Sequence, residues 1–599
     1  MILIFGGTTE GRLAVEVTEL AGKPYFYSTH DGVQQVNSTH GTYISGGMDA
    51  VAIASCCKEQ EIRLIIDAAH PFASALHQNI ATAATLLHLP VIRLERHYPP
   101  KDSRIIWCHN YGHAIQLLNA HHVNCLLALT GVKTIERLKE YWTQHDCYFR
   151  ILDRDASREI LHHTGFPPAR TLTYSDEGRI DGLLSTLHPQ AILLKESGAT
   201  GGFSEKAQAA LEQGVKVFAI ERPTLPSSFH IATGRFSLRR MIEQLLPDFF
   251  PLRSGITTGT CAAAAAKAAL ASLLSGTEQR TVQITLPNDE EITLVAEHIH
   301  CDKHCATATV RKDAGDDPDV THGTLIVARV KYASHPDIAI TGGEGVGRVT
   351  LPGLGIPVGE AAINPTPRRM IVQALQQLYQ GGLDVEISVP EGKALAEKTF
   401  NHRVGVVGGI SIIGTSGIVQ PFSNEAFIDA IRREVQVAVA TGIRHVVLNS
   451  GARSERIVKQ QFPHLPAQAF VHYGNAIGET LSIACQEGAE TITLGLMIGK
   501  AVKLAEGHTN THSHKVLMNT EFLKTLAADA GCSAKAVTQI GQLKMARDLW
   551  NTLDERDAPL FFTALLQRCH EHCRTCVSTP CTLQLMLISD EEKIEYTIP

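Results

Sequence analysis

The stretch Ile2-Leu-Ile-Phe-Gly-Gly-Thr-Thr-Glu-Gly-Arg12 decides how the fold is read. Its apolar run ends on paired glycines, and the pattern after them predicts a helix from Thr9 to Leu20. Glycines at a strand-to-helix turn let the backbone approach a pyrophosphate, and the helix start adds free N–H groups and a positive dipole end. The spacing is not G-x-G-x-x-G. Two readings therefore stand at this point, a phosphate-binding turn and a tight turn that binds nothing. With no basic segment before the apolar run, it reads as a strand and not a signal peptide.

Outward from that stretch the same alternation recurs. Further buried strands are expected at Pro24–Tyr27, Leu64–Ile66, Val91–Leu94, Leu126–Leu129, Ala191–Leu194 and Val215–Ile220, with amphipathic helices between them. This order argues for parallel sheets covered on both faces. Pro247-Asp-Phe-Phe-Pro-Leu-Arg253 then breaks the pattern. After it, Ser254-Gly-Ile-Thr-Thr-Gly-Thr-Cys261 opens an alanine-rich helix, and strands are expected at 281–286, 291–297, 306–312 and 324–330. From Arg403 the βα alternation is expected to resume, with strands at 404–407, 445–448 and 469–473, a mainly helical tail and a last strand at 583–588. The fold class is thus α/β and α+β in several domains: 1–246 as two Rossmann-like lobes, 247–253 a linker, 254–399 an α+β domain, and 400–599 a Rossmann-like domain with a helical C-terminal part.

Composition excludes several classes. The 599 residues carry a formal charge of −7, with 44% hydrophobic and 19% charged residues. That balance fits a globular protein, and a mildly acidic chain without basic runs is unsuited to nucleic acid. No Gly-Lys-Ser/Thr occurs, which rules out a Walker motif. Glycine interrupts the apolar stretch after Val404, so no membrane span is expected. Fourteen cysteines without a secretion signal point to reduced thiols in a cytoplasmic protein.

In the first half, Asp67-Ala-Ala-His-Pro-Phe-Ala73, Leu129-Thr-Gly131, Lys195-Glu-Ser-Gly-Ala-Thr-Gly-Gly202 and Glu221-Arg-Pro223 each follow an expected strand. With the glycine turn, these motifs resemble the precorrin-6A reductase family of cobalamin biosynthesis over residues 1–246. The resemblance implies a nicotinamide cofactor and a tetrapyrrole meeting between two Rossmann-like lobes, with hydride transfer to a ring double bond completed by a proton. Gly6, Gly7, Thr8, Thr9 and Glu10 would then cradle the cofactor. Lys195, Ser197, Gly198, Gly201 and Gly202 would face the substrate. His70 would be the catalytic proton donor, its ordinary pKa near 6.5 suiting that task, although a hydrogen-bonded cap beside Pro71 is the plainer role. Lys195 has a plain role too, pairing with Glu196 or Glu221. NADH and NADPH both remain open, because Tyr27-Ser-Thr-His-Asp31 presents neither a strand-end acid nor an arginine.

In the second half, Arg253–Ala262, Gly315-Asp-Asp-Pro-Asp-Val-Thr-His-Gly323, Thr341-Gly-Gly-Glu-Gly-Val-Gly-Arg348, Ala362-Ile-Asn-Pro-Thr-Pro-Arg-Arg-Met370, Gly408-Gly-Ile-Ser-Ile-Ile-Gly-Thr-Ser-Gly-Ile-Val419, Asn449-Ser-Gly-Ala-Arg-Ser-Glu455, Tyr473-Gly-Asn-Ala-Ile-Gly478 and Ile498-Gly-Lys-Ala-Val-Lys-Leu-Ala505 follow in order. This half resembles the CbiD family, the cobalt-precorrin-5B (carbon 1) methyltransferases. The resemblance implies methyl transfer from S-adenosylmethionine to a ring carbon. Gly408, Gly409, Gly414, Thr415, Ser450 and Gly451 are the expected S-adenosylmethionine contacts, as glycine loops at Rossmann strand ends; simple tight turns are the alternative. Arg348, Arg368 and Arg369 suit substrate carboxylates or surface ion pairs. The histidines of Gly507–His514 are expected to face cobalt, carboxylates or solvent. Cys569, Cys573, Cys576 and Cys581 have the density of a zinc or iron–sulfur site, against free thiols on a helix and loop.

The expected whole is a bifunctional enzyme acting on cobalt-corrinoid precursors with NADH or NADPH and S-adenosylmethionine. A non-catalytic tetrapyrrole or cobalt carrier and an unrelated Rossmann oxidoreductase fusion are the alternatives. Oligomeric state is not legible.

Overall fold

The computed structural model describes all residues except 31, 33, 35, 175–179, 199–200, 513–516 and 578–580. Its backbone divides into two units, Met1–Pro251 and Leu252–Pro599.

Among the described residues the first unit holds twelve strands: β1 (Ile2–Phe5), β2 (Tyr25–Thr29), β3 (Gly41–Ser45), β4 (Leu64–Asp67), β5 (Val91–Leu94), β6 (Ile106–Cys108), β7 (Cys125–Ala128), β8 (Asp146–Ile151), β9 (Thr171–Thr173), β10 (Ala191–Lys195), β11 (Lys216–Ile220) and β12 (His230–Ala232). They form two six-stranded sheets in the orders β12-β5-β4-β1-β2-β3 and β6-β11-β10-β7-β8-β9. Every pairing in both is parallel. Helices cover both faces, so β1, β4 and β5 are buried at every position and are mainly apolar, with Asp67 closing β4 and Arg93 inside β5. After building the second sheet, the chain returns to set β12 beside β5 in the first. The segment expected to be a linker is partly core: Phe249 and Phe250 are buried with Leu238 and Ile242 in the first lobe.

In the second unit, β13 (Gly255–Ile256) leads into the helix Thr258–Ser275. Ala262 to Ala266 are fully buried there. Their small side chains let that helix lie close against the strands it crosses. Next come β14 (Thr281–Thr285), β15 (Glu291–Val295), β16 (His298–Cys301), β17 (Cys305–Arg311), β18 (Leu325–Tyr332), β19 (Ile338–Gly342), β20 (Arg348–Val349) and β21 (Leu383–Ser388). A mixed sheet runs β16-β17-β18-β21-β19. Two short strands, β22 (Val406–Val407) and β23 (Ile418–Val419), pair back with β20 and β13. Residues 406–419 therefore pair within this α+β body, and the expected strand at 404–407 does not start the Rossmann-like part. That part begins with the helix Asn424–Ala440 and contains β24 (His445–Asn449), β25 (Phe470–His472), β26 (Thr491–Met497), β27 (Thr582–Ile588) and β28 (Ile594–Ile598). Their order is β25-β24-β26-β27-β28, parallel except for the last pair. The C-terminal helix Asp557–Cys576 packs Phe561, Phe562 and Leu565 into that core. Among the described residues no helix is long and apolar enough to cross a membrane.

Candidate functional site

In the first unit the glycine turn opens onto a cavity of about 930 Å³. Gly7 has φ +90°, and nothing lies within 4 Å of where its Cβ would be. Gly6 and Gly11 are small for a different reason: a Cβ on either would strike the Tyr27 hydroxyl, at 2.2 and 2.7 Å. Thr8 caps the helix Thr9–Glu19, accepting from Gly11 N at 3.0 Å while donating to Ala68 O at 2.7 Å. The Gly7 N–H is bonded to Tyr27 Oη and Gln34 Oε1, and Gln34 donates to Thr8 O. Glu10 departs from expectation. It is buried, and the Arg96 guanidinium lies 2.8 Å from its carboxylate. The same guanidinium donates to Ser197 O at 2.7 Å, tying the glycine-turn helix to the loop after β10.

A second cavity, of about 470 Å³, shares His70, Lys133 and Arg154 with the first and adds Lys195, Ser197 and Gly201. Gly198 and Gly202 take positive φ and shape the loop, the first against Arg96 and the second as the cap of the helix Phe203–Glu212. His70 reaches open cleft, yet its Nδ1 accepts from Phe72 N at 3.2 Å. Packing of the cleft walls around the ring disfavours its charged form, and Arg96 and Lys195 add positive charge, so its pKa falls to about 4. The resting imidazole is thus neutral, contrary to the ordinary value expected of it. Lys195 pairs with neither Glu196 nor Glu221. Glu196 accepts from Arg222 N, Glu221 holds Lys101 and His109, and the Lys195 ammonium lies 5.3 Å from the centre of the Phe72 ring. Burial, then Arg137 and Lys133, lowers its pKa to about 8.

Beneath His70 lies a buried polar network that the sequence reading missed. Asp67, at the end of β4, contacts His77 Nδ1 at 2.6 Å and Arg93 Nη1 at 3.0 Å, and Arg93 also donates to Ala69 O. All three side chains are nearly inaccessible. The turn carrying His70 therefore rests on a fixed base. An arginine inside the otherwise apolar strand Val91–Leu94 was the available signal.

In the second unit the expected S-adenosylmethionine residues separate. Gly408, Gly409, Gly414 and Thr415 belong to the α+β body and do not lie at Rossmann strand ends. A Cβ on Gly409 would meet Gly345 O at 2.2 Å, and one on Gly414 would meet Thr257 Oγ1 at 2.3 Å. This segment also seals the start of the alanine helix, with Gly259 N donating to Ile413 O and Thr260 Oγ1 to Gly417 O. Only Gly408 has open space around its Cβ, and Thr415 is exposed. Ser450 and Gly451 do follow a Rossmann strand, β24. Their N–H groups donate to Ser454 Oγ at 3.0 and 3.2 Å.

Around that sheet edge stand groups given no role from the sequence, some of them inside the quoted motifs. Glu455 accepts from Arg403 at 2.7 Å and faces His472 Nε2 at 2.5 Å. Burial alone would raise its pKa, but those two partners outweigh it and hold the carboxylate ionised. Nearby, burial pushes Glu434 upward despite Arg403 and His472, and its Oε2 has no partner. Asn449, fully buried at the end of β24, leaves Oδ1 unmatched as well. Lys500 clamps the following turn through Gly474 O and Asn475 Oδ1.

The arginines also divide. Arg368 is spent on Ile363 O, Ile340 O and Glu360, whereas Arg348 and Arg369 are exposed. The four C-terminal cysteines do not converge. Cys569 and Cys573 are sealed in the core, with Cys569 Sγ donating to Ala501 O, while Cys576 and Cys581 contact the carbonyls of His572 and Thr582. Burial raises the Cys569, Cys573 and Cys581 thiols. Among the described residues no group of three or more ligating side chains is placed to hold a metal. The expected zinc or iron–sulfur site is therefore not formed by this geometry. Of the histidines, His508 is exposed beside Glu506, and His514 lies outside the described residues.

Comparison with known proteins places families on both units. Residues 1–239 match the profile described as precorrin-6x reductase CbiJ/CobK; residues 247–421 match CbiD, and 510–597 match the CbiD C-terminal domain. A cobalt-precorrin-5B C(1)-methyltransferase of Geobacillus thermodenitrificans is 45% identical over 323 residues, covering 53% of this chain and 87% of that protein. That of Thermus thermophilus is 42% identical over 319 residues, covering 53% and 86%. Among solved structures, a cobalamin biosynthesis protein (cbiD) from Archaeoglobus fulgidus is 29% identical, covering 44% of this chain and 83% of that one, with TM-score 0.25. A CobK precorrin-6A reductase is 20% identical, covering 42% and 98%, with TM-score 0.35.

Proposed function

The chain belongs to the CbiD family of cobalt-precorrin-5B C(1)-methyltransferases and carries a CbiJ/CobK reductase domain before it, and from that premise we propose how its two units act. The second unit methylates carbon 1 of cobalt-precorrin-5B with S-adenosylmethionine. The first reduces the resulting cobalt-precorrin-6A with NADH or NADPH.

The observation that carries the reductase reading is the cleft itself. An open glycine turn and the cations Arg12, Lys133, Arg137, Arg154 and Lys195 line two cavities that share His70, Lys133 and Arg154. The bound nicotinamide supplies a hydride. Since the Gly7 N–H is already bonded, the backbone of Thr8 and Thr9 at the helix start receives the pyrophosphate. The clustered cations hold the substrate's acetate and propionate groups. Bound carboxylates also offset the positive field on His70.

In the second unit, S-adenosylmethionine supplies an electrophilic methyl group. Ser450 and Gly451 stand just past the carboxyl end of β24, where ligands bind in parallel sheets. Exposed Arg348 and Arg369 remain candidates for substrate carboxylates. Holding nucleophilic carbon and methyl group in line accounts for much of the rate.

The test uses the full chain with cobalt-precorrin-5B. Adding S-adenosylmethionine should add one methyl group by mass, and adding NADH or NADPH should then add two hydrogens. A product that gains hydrogens without prior methylation, or neither change, rejects this assignment.

A further inference from the structure

The reductase reading needs a proton as well as a hydride, and the cleft restricts where that proton comes from. His70 was the expected donor. The Phe72 N–H points at its Nδ1, so that nitrogen carries no proton and the ring is a neutral imidazole. A neutral imidazole cannot give up its remaining Nε2 proton at ordinary pH; it can only donate a hydrogen bond through it.

The same cavity wall carries the acids Lys133, Tyr174, Lys195 and Lys206; Lys206 donates to Gly201 O and Tyr174 lies under Arg150, whereas Lys195 rests against the ring of Phe72, two residues from His70. Lys195 ends β10, at the carboxyl edge where ligands bind in parallel sheets. It lines the cavity with His70 and Ser197 and rests against the Phe72 ring. The charges that act on it are cationic, Arg137 and Lys133, and it in turn acts on His70 from across the cavity. Glu196, next in sequence, accepts from Arg222 N, and Glu221, just past the paired strand β11, holds Lys101.

Resting on the reductase reading, we propose that Lys195 is the general acid of the reduction and that His70 orients the substrate through its Nε2–H. Hydride from the nicotinamide forms a C–H bond at one end of a ring double bond. The π electrons move to the other end and take a proton from the Lys195 Nζ. NAD(P)H leaves oxidised, and the neutral amine regains its proton from solvent. The depressed lysine pKa serves this role, because burial and the neighbouring cations make the ammonium a readier donor than an exposed lysine.

The test has two parts, both on the full chain. Without substrate, competitive acetylation followed by mass spectrometry should show Lys195 half-reactive near pH 8, well below surface lysines. With cobalt-precorrin-6A, wild-type kcat/KM should fall as pH rises through that value. Lys195→Arg keeps the charge but cannot release a proton, so kcat should drop at least 100-fold with KM within threefold. Lys195→Gln should lose kcat and raise KM. His70→Gln should mainly raise KM, at most about tenfold in kcat. NAD(P)H titration of each variant confirms a folded cofactor site. If His70→Gln abolishes turnover while Lys195→Arg keeps it, or if Lys195 acetylates like a surface lysine, the proposal is overturned and the reductase reading survives. A wild-type chain that never oxidises NAD(P)H with this substrate overturns both.

Discussion

Gly6 and Gly7 are adjacent and look equivalent in the sequence, yet they are glycine for different reasons. A methyl on Gly6 would displace the Tyr27 ring, which also holds the Gly7 N–H. A methyl on Gly7 enters open space and meets only the strain of φ +90°. Gly6→Ala should therefore cost about 1–3 kcal/mol by overpacking and weaken NAD(P)H binding. Gly7→Ala should cost only about 1–2 kcal/mol, from its left-handed backbone. Denaturant midpoints and cofactor fluorescence compare them; equal midpoints for Gly6→Ala and wild type would falsify the steric account. Glu19 gives a pH signature. Burial opposes its ionisation, but His40, Tyr25 and Ser38 hydrogen-bond its carboxylate and bring its pKa from 4.5 to about 2. A depressed acid stabilises the fold above its unfolded pKa and loses that contribution as pH falls toward the folded one. Wild type should thus lose stability between about pH 4.5 and 2, and Glu19→Gln should flatten that part of the curve.

At the scale of elements, two glycine segments that share a sequence character play unlike parts. The 408–417 segment packs on the start of the alanine helix and on the turn at Gly345, with backbone atoms where side chains would go. Gly451 opens the helix Ala452–Lys459 with no atom within 4 Å of its Cβ site and an extended backbone. Gly409→Ala should lower the melting temperature of the second unit by several degrees. Gly451→Val should leave melting unchanged and weaken S-adenosylmethionine binding at least tenfold by calorimetry. The reverse pattern would move the cofactor site to the 408–417 segment. Glycine spacing alone did not separate these cases, since a tight turn and a ligand loop obey the same backbone preference. The four cysteines show the same limit. Their spacing suggested a metal, but a helix turns Cys569 and Cys573 inward and leaves Cys581 beyond its end.

For the whole molecule, the chain divides at Pro251 and Leu252, and each unit encloses its own cores. Fragments 1–251 and 252–599 should each fold cooperatively and keep their own activity. The activities are consecutive although their order in the chain is reversed. Covalent linkage leaves both equilibria unchanged but raises the local concentration of intermediate, to about millimolar for short connections. With both cosubstrates present, less cobalt-precorrin-6A should accumulate with the intact chain than with equimolar fragments at low concentration. Matching time courses would leave co-expression as the reason for the fusion.

The sequence by itself determined the strands whose faces are both buried, because β1, β4, β5, β10 and β11 must be mainly apolar wherever helices cover both sides. It also determined the two families, through short motifs whose residue order survives folding unchanged. It missed β3, half-exposed at a sheet edge, and β12, which pairs with β5 only after the chain has built a second sheet. Only the tertiary structure decided that Glu10 belongs to Arg96, that residues 406–419 complete the α+β body, and that Glu434, Glu455 and His472 gather beside Ser450. These are contacts between residues far apart in the chain. Burial and charge compensation select them, and neither leaves a local pattern to read.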